Sequence, residues 1–193
     1  MLRLAVDGTL RMRNAHDPAW RAMPGSQRMY RSRIEGESMT GSARTEHAPD
    51  TRRHKIIGDA HLLLINRDDQ VLFGRRQNTG FEDGTWHLPA GHVEAGESVV
   101  DTLIREAKEE VGVTIAPEQV EFAHVMHSAS DGGRAAFFFI VRVWDGMPEN
   151  REPDKCSELA WFPFDALPDH LIGYCRGAFD HIGAGRPFSV YGW

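Results

Sequence analysis

The sequence of 193 residues contains only two cysteines, Cys156 and Cys175, and no apolar run that approaches the length of a membrane span. Two cysteines do not make a disulfide framework, and roughly 18 consecutive apolar residues are needed to cross a bilayer. The N-terminus also lacks the apolar h-region of a secretory signal. We therefore expect a cytoplasmic protein with no membrane partner, in which both thiols are ordinary buried or half-buried side chains.

The sequence also has no excess of positively charged residues. Lys and Arg number 22 against 28 Asp and Glu, which gives a formal net charge of −6. Residues 1–53 contain ten Arg and six acidic residues, whereas residues 54–193 contain twelve basic and twenty-two acidic residues. A nucleic acid polymer is bound through a basic surface. We expect the acidic part to bind no such polymer, and its charge suits a protein that gathers cations around a polyphosphate.

The chain is predicted to form one domain preceded by an N-terminal extension. Hydrophobic residues make up 41% and charged residues 26%, which is enough for a single core. Residues 1–50 show no sustained period of 2 or 3.6, and this predicts a disordered or loosely attached segment. Residues 51–193 are predicted to be the domain. An Arg-rich arm, a targeting peptide and a natural start at Met39 are alternatives that the sequence leaves open.

The hydrophobic pattern after residue 55 predicts strands on either side of two helices. An apolar stripe of Leu171, Cys175, Ala178 and Ile182 is typical of a helix that packs on a sheet. The order of elements predicts an α/β or α+β sandwich with one core. In chain order the predicted elements are a hairpin of residues 56–66 and 70–76, a strand at 86–89, a helix over 98–111, a hairpin of 120–130 and 134–144, a strand at 158–162 and a helix that Pro168 opens.

The segment most informative about chemistry is residues 91–113. On a helix, Glu106, Glu109 and Glu110 lie at i, i+3 and i+4 and share one face, while an apolar stripe occupies another. Clustered carboxylates either point into solvent or are neutralised by a cation. Their oxygens are hard ligands, which suit Mg²⁺. A solvated acidic face is the common alternative for such a triplet taken by itself.

The spacing around these acids resembles the Nudix box, G-x5-E-x7-R-E-U-x-E-E-x-G-U, in which U is a bulky aliphatic residue. Ala107 stands at the first aliphatic position and is the one departure. Eight specified positions are matched, by Gly91, Glu97, Arg105, Glu106, Glu109, Glu110, Gly112 and Val113. The resemblance covers about residues 56–168. It implies a Nudix-type α/β/α sandwich around a mixed β-sheet.

The same resemblance implies roles for the acidic residues. Glu106, Glu109 and Glu110 would ligate one to three Mg²⁺ ions, for which Mn²⁺ could substitute. One of these carboxylates, or a carboxylate from another loop, would activate the attacking water. Glu97 and Arg105 would brace the loop against the helix as charge-assisted partners. Bound Mg²⁺ would orient the substrate and offset charge on its phosphate oxygens.

Candidate substrate contacts lie around the box. Arg76 ends the second strand, where members of this family often place an arginine that reaches the phosphates. Phe81 could stack on a base or anchor its loop, and Trp86 could flank the base or join the core. Gly91 opens the loop of the box. Glu158 could read a base or remain a surface acid.

Histidines add one candidate contact and no metal pair. His124 and His127 lie at i, i+3 on a predicted strand, which sends them to opposite faces and argues against zinc. His127, near a strand end, remains a candidate substrate contact.

The leading hypothesis is a Mg²⁺-dependent hydrolase that converts a (d)NTP to a nucleoside monophosphate and pyrophosphate. The alternatives are cleavage of ADP-ribose or a nucleotide sugar, and a non-catalytic module that senses a nucleotide. The expected partner is a small nucleotide, and the expected state is a monomer or a homodimer. An isopentenyl-diphosphate isomerase is disfavoured because its catalytic Cys has no clear counterpart.

Overall fold

Eight strands and two helices make up residues 54–193, the part of the chain that the computed structural model describes. The extension predicted for residues 1–50 lies outside the described residues. No helix within residues 54–193 is long and apolar enough to cross a membrane. The elements are β1 (Ile57–Leu64), β2 (Gln70–Arg76), β3 (Trp86–His87), β4 (Ala90–His92), α1 (Val99–Val111), β5 (Glu121–Ser128), β6 (Arg134–Val141), β7 (Cys156–Pro163), α2 (Gly173–Gly183) and β8 (Phe188–Tyr191).

The strands form two sheets. A five-stranded mixed sheet has the order β4-β1-β6-β5-β8, and a three-stranded antiparallel sheet has the order β3-β2-β7. The predicted hairpin of residues 56–66 and 70–76 is therefore wrong, because β1 and β2 belong to different sheets and meet only at a bridge between Ile65 and Val71. The reason is that β1 is buried on both of its faces. A strand of this kind takes a central place, here between β4 and β6.

The predicted helix over residues 98–111 is confirmed as α1. Its first turn is closed by a capping box in which Ser98 and Asp101 bind each other's backbone N–H. Its last turn ends at Gly112, which adopts a left-handed conformation with φ 72°. The buried face of α1 packs against Ala60, Leu62 and Leu64 of β1. The intervening β1 residue Leu63 faces the other way and packs with α2.

The second helix begins later than predicted. Pro168 does not open it, since α2 starts at Gly173. The backbone before the helix is extended instead, because Trp86 N donates to His170 O and Ile172 N donates to Trp86 O. The predicted stripe is confirmed in part: Cys175, Ala178 and Ile182 lie on α2 and pack in or against the core, whereas Leu171 is buried in the same core but precedes the helix. The two helices cover opposite faces of β1, which confirms the predicted α+β sandwich with a mixed sheet.

Candidate active site

The carboxylates of α1 lie against strand β4. Ala90 N donates to Oε2 of Glu110 at 3.0 Å, so the backbone of β4 fixes that side chain. Glu106 covers Gly91 so closely that a Cβ on this glycine would stand 1.7 Å from Oε1 of Glu106. The box therefore needs a glycine at this position because the Glu106 carboxylate occupies the space of a side chain.

Arg105 links the loop of the box to three of its acids. Its Nη2 donates to Oε1 of Glu97 at 3.0 Å, and its Nη1 donates to Oε1 of Glu106 at 2.6 Å and Oε2 of Glu109 at 3.1 Å. Glu97 Oε1 also accepts from Glu94 N and from the buried hydroxyl of Thr102. The structure thus brings Glu97 and Arg105 together as a brace between the loop and α1.

The acids differ in how easily they ionise. Hydrogen bonds from Arg105 and from the backbone lower the pKa of Glu97 to about 2. Burial raises the pKa of Glu106. Burial, followed by the charge of Glu106, raises the pKa of Glu110 to about 8. A pair of carboxylates whose ionisation opposes each other in this way gains most from a neighbouring cation.

The donor set fits a hard divalent cation. Glu106 and Glu110 supply carboxylate oxygens beside the cradle at Gly91, and Glu109 stands on the same helix face. Within residues 54–193, no three His, Cys, Asp or Glu side chains converge on one point as metal ligands. The Arg105 guanidinium is bound to both Glu106 and Glu109 and neutralises part of their charge.

A cavity of about 370 Å³ opens beside this acidic face. Its walls carry two cationic side chains, Arg76 and Lys155, and two carboxylates, Glu110 and Glu152. Burial, then the charge of Arg76, lowers the pKa of His87 to about 4, so this imidazole is neutral at pH 7. The other lining residues are Gly74, Asn78, Thr79, Pro89, Ala90, Val111, Cys156 and Leu159.

Arg76 enters the cavity from the end of β2. Its Nε donates to Phe81 O and its Nη2 donates to Thr79 Oγ1, both at 2.8 Å. Thr79 is held in turn by Asp83, whose Oδ1 lies 2.6 Å from Thr79 Oγ1. The preceding Arg75 pairs with Glu158 and stays half exposed, as strand alternation predicts.

Residues 149–156, called the 149–156 segment below, carry Glu152 and Lys155 into the same cavity. The segment is tied to the end of α1, where Arg151 N donates to Glu110 O at 3.0 Å. It is tied to the end of β2 as well, where Gln77 N donates to Lys155 O at 2.8 Å. These bonds hold the segment between the acidic helix and Arg76.

Four other predicted contacts lie away from the cavity wall. Trp86 packs against the core and meets Phe162 edge to face, with ring centroids 5.0 Å apart. Phe81 is exposed, and its ring lies 5.6 Å from the guanidinium carbon of Arg76. Glu158 is held by Arg75. His127 lies on β5 against Trp193.

Sequence reasoning missed Glu152, Lys155, His87 and Cys156. Of these, Glu152, Lys155 and Cys156 lie within six residues of Glu158, so this candidate pointed to the correct stretch of the chain. The missing signal was the register of β7, where Arg75 pairs with Glu158 and Arg76 pairs with Cys156 across an irregularity. That register directs the start of β7 into the cavity and Glu158 out of it.

Comparisons with known proteins agree with this geometry. A family profile described as NUDIX domain matches residues 57–175. The human protein named 8-oxo-dGDP phosphatase NUDT18 is 37% identical over 128 residues, 64% of this chain and 38% of that protein. The ADP-ribose pyrophosphatase of Methanocaldococcus jannaschii is 32% identical over 119 residues, 61% of this chain and 64% of that protein. The matches thus span less than two thirds of both relatives.

A solved structure gives the same result. The crystal structure of a MutT NUDIX hydrolase from Burkholderia pseudomallei is 27% identical, with a TM-score of 0.59 over 65% of this chain and 97% of that one. Its fold is therefore shared over nearly its whole length. The profile match covers more than half of the 193 residues and includes the braced acidic helix and Arg76. The chain belongs to the Nudix family.

Proposed function

We propose that this protein is a Mg²⁺-dependent hydrolase that cleaves a phosphoanhydride bond in a nucleoside diphosphate derivative, and that its substrate is a (d)NTP, released as a nucleoside monophosphate and pyrophosphate. The observation that carries the proposal is a cavity lined by two carboxylates, Glu110 and Glu152, and by two cationic side chains, Arg76 and Lys155. A polyphosphate substrate needs carboxylates that hold its divalent cation and cationic side chains that bind its phosphate oxygens. Members of this family generally need a divalent metal ion.

The residues that would hold Mg²⁺ are Glu106, Glu109 and Glu110. When bound there, the ion offsets charge on the phosphate oxygens and lowers the pKa of a coordinated water. Arg105 and Glu97 hold the helix and the loop in register, so the acids keep their relative positions. His87, neutral at pH 7, offers the substrate a hydrogen bond without adding charge.

Glu152 supplies the carboxylate from another loop. It lines the cavity with Glu110, and its negative charge contributes to raising the pKa of both Glu106 and Glu110. Lys155 Nζ lies 2.7 Å from Oε1 of Glu152. Among the described residues this leaves Oε2 to accept the proton of the attacking water. Water then adds to the inner phosphorus, the bond to the bridging oxygen breaks, and pyrophosphate departs.

A nucleoside diphosphate or ADP-ribose is the second candidate substrate. The human relative is named for 8-oxo-dGDP and the archaeal relative for ADP-ribose. Both compounds contain a pyrophosphate bond that the same acids could address. Nucleoside triphosphates, nucleoside diphosphates and ADP-ribose differ in the group attached beyond the cleaved bond. Contacts of the protein with that group therefore decide which of the three substrate classes is preferred.

The proposal is tested with the full chain, Mg²⁺ and a panel of (d)NTPs, 8-oxo-dGDP and ADP-ribose, with products resolved by ion-exchange chromatography. We expect one pyrophosphate per nucleoside triphosphate and little free phosphate. Glu110→Gln should lower kcat about 100-fold or more, because a metal ligand is lost. The exposed Glu118→Gln is the matched control and should change kcat less than about twofold. A higher kcat/KM on ADP-ribose, with AMP and ribose 5-phosphate as products, would move the assignment to the second candidate.

A further inference from the structure

Lys155 immediately precedes β7, and Arg76 ends the neighbouring strand β2. Arg76 of β2 pairs with Cys156 of β7, and the next residue, Gln77, donates its N–H to Lys155 O at 2.8 Å. Both cationic side chains line the same cavity. The backbone bond from Gln77 and the pairing of Arg76 with Cys156 therefore hold both residues where the end of β2 meets the start of β7.

The two cations keep hydrogen-bond donors for an anion. Within residues 54–193, the guanidinium of Arg76 is bound by neutral oxygens of Phe81 and Thr79. The Lys155 ammonium has three donors, pairs with Glu152 and remains well exposed. The two cationic side chains thus have one directly bonded carboxylate between them, that of Glu152, and they line the cavity together with Glu110.

We propose that Lys155 and Arg76 form a two-cation clamp for the phosphate beyond the cleaved bond, and that this clamp selects nucleotides with a free terminal phosphate over nucleotides whose second phosphate is esterified. The inference rests on the proposed function. A terminal phosphate carries close to two negative charges at neutral pH, because its second pKa is near 6. A phosphate esterified to a second sugar carries one. Two adjacent cations match the two negative charges of a terminal phosphate.

The clamp is tested with four full-length proteins: wild type, Lys155→Met, Lys155→Arg and Lys108→Met. Lys108 is exposed on α1 and outside the cavity, so its variant controls for the loss of one charge. Two readouts are taken with Mg²⁺ present. The first is the Kd of inorganic pyrophosphate by calorimetry, and the second is kcat and KM for a nucleoside triphosphate and for ADP-ribose.

Lys155→Met should weaken pyrophosphate binding and raise KM for the triphosphate about 10-fold, because one charge-assisted contact to phosphate is lost. Lys155→Arg and Lys108→Met should stay within about threefold of wild type. KM for ADP-ribose should move less than KM for the triphosphate.

Unchanged pyrophosphate affinity in Lys155→Met would overturn the clamp. So would an equal fall in kcat for both substrates without a change in pyrophosphate affinity, since that pattern would mean that Lys155 acts only by positioning Glu152. The calorimetric readout is independent of turnover. A wild type that binds pyrophosphate through Lys155 but hydrolyses no triphosphate would instead contradict the proposed function.

Discussion

Two acids six positions apart show how strongly strand register decides the role of a residue. Glu152 lines the cavity beside Glu110, whereas Glu158 pairs with Arg75 at 3.1 Å on the outside of β7. Both side chains carry the same charge and lie in one stretch of sequence. The backbone contacts of the 149–156 segment place Glu152 in the cavity, where it is a candidate proton acceptor. Glu158 lies outside the cavity and forms a surface ion pair.

This difference predicts opposite outcomes for two matched variants. Glu152→Gln should lower kcat at least about 10-fold, because the amide cannot accept the proton of the attacking water. Glu158→Gln should leave kcat and KM within about twofold, because an exposed ion pair contributes little. Steady-state kinetics on a nucleoside triphosphate measures both. A change in base preference in Glu158→Gln, with Glu152→Gln unaffected, would restore the role that the sequence assigned to Glu158.

At this scale the box residues were predictable from sequence because their spacing along one helix fixes their geometry. Glu106 and Glu110 share a face in any helix, whatever surrounds it. Arg76 was named from the family resemblance, and the structure places it in the lining of the cavity. Lys155 and His87 were not, because their places depend on pairing between strands distant in sequence.

At the scale of elements, the site depends on how closely α1 approaches β4. Gly91 and Ala60 pair across the strands, and this face of the sheet receives α1. The Glu106 side chain fills the space above Gly91. A side chain at residue 91 would therefore displace the Glu106 carboxylate and prevent the close approach of α1 to β4.

Gly91→Ala should destabilise the fold by about 1–3 kcal/mol, because a Cβ 1.7 Å from Glu106 Oε1 forces that carboxylate out of place. Truncating the obstructing side chain should relieve the strain. In a double-mutant cycle, Gly91→Ala in a Glu106→Ala background should cost clearly less than in wild type. Urea unfolding of the four proteins measures the coupling, and additive effects would contradict the close packing described for this pair.

The element predictions failed where long-range pairing overrode local signals. Pro168 is a normal helix opener, yet residues 170–172 are held extended by backbone bonds to Trp86. The turn at Asp68-Asp69 is formed, with Asn66 Oδ1 accepting from Asp68 N and Gln70 N, but the strands that it joins enter different sheets. The helix α1 was predictable because its caps are local.

For the whole molecule, a buried histidine makes stability depend on pH. His61 lies on β1, stacks on Phe138 with ring centroids 4.6 Å apart, and has a buried Nδ1 without a hydrogen-bond partner in the described part of the chain. Burial, followed by the charge of His87, lowers the pKa of His61 from 6.5 to about 3. The folded state therefore holds this imidazole neutral.

The direction of the pH dependence follows from the difference in proton binding between the folded and the unfolded chain. Below pH 6.5 the unfolded chain binds a proton that folded His61 refuses, so stability is lost as pH falls from 6.5 toward 3. His61→Leu should remove roughly 1.4 kcal/mol of this loss per pH unit. Urea unfolding of both proteins at pH 7.5, 6 and 5, without added metal ions, measures the difference. Parallel pH dependences of the two proteins would contradict a neutral buried His61. Other titrating groups cancel in the comparison.

We propose that the N-terminal extension is dispensable. The whole cavity lies within residues 54–193, the described part of the chain. We predict that a chain beginning at Asp50 folds and keeps kcat/KM within about twofold of the full chain, because no candidate site residue precedes this point. Thermal unfolding and turnover measure this. An insoluble or inactive shortened chain would show that residues 1–49 are needed.

In the proposed function, water attacks the inner phosphorus of a nucleoside triphosphate in a reaction that requires a divalent cation. Hydrolysis in ¹⁸O-labelled water, followed by mass spectrometry of both products, shows which phosphorus is attacked. We expect one ¹⁸O atom in the nucleoside monophosphate, none in pyrophosphate, and no turnover in excess EDTA. Label in pyrophosphate or in free phosphate, or full activity in EDTA, would contradict it.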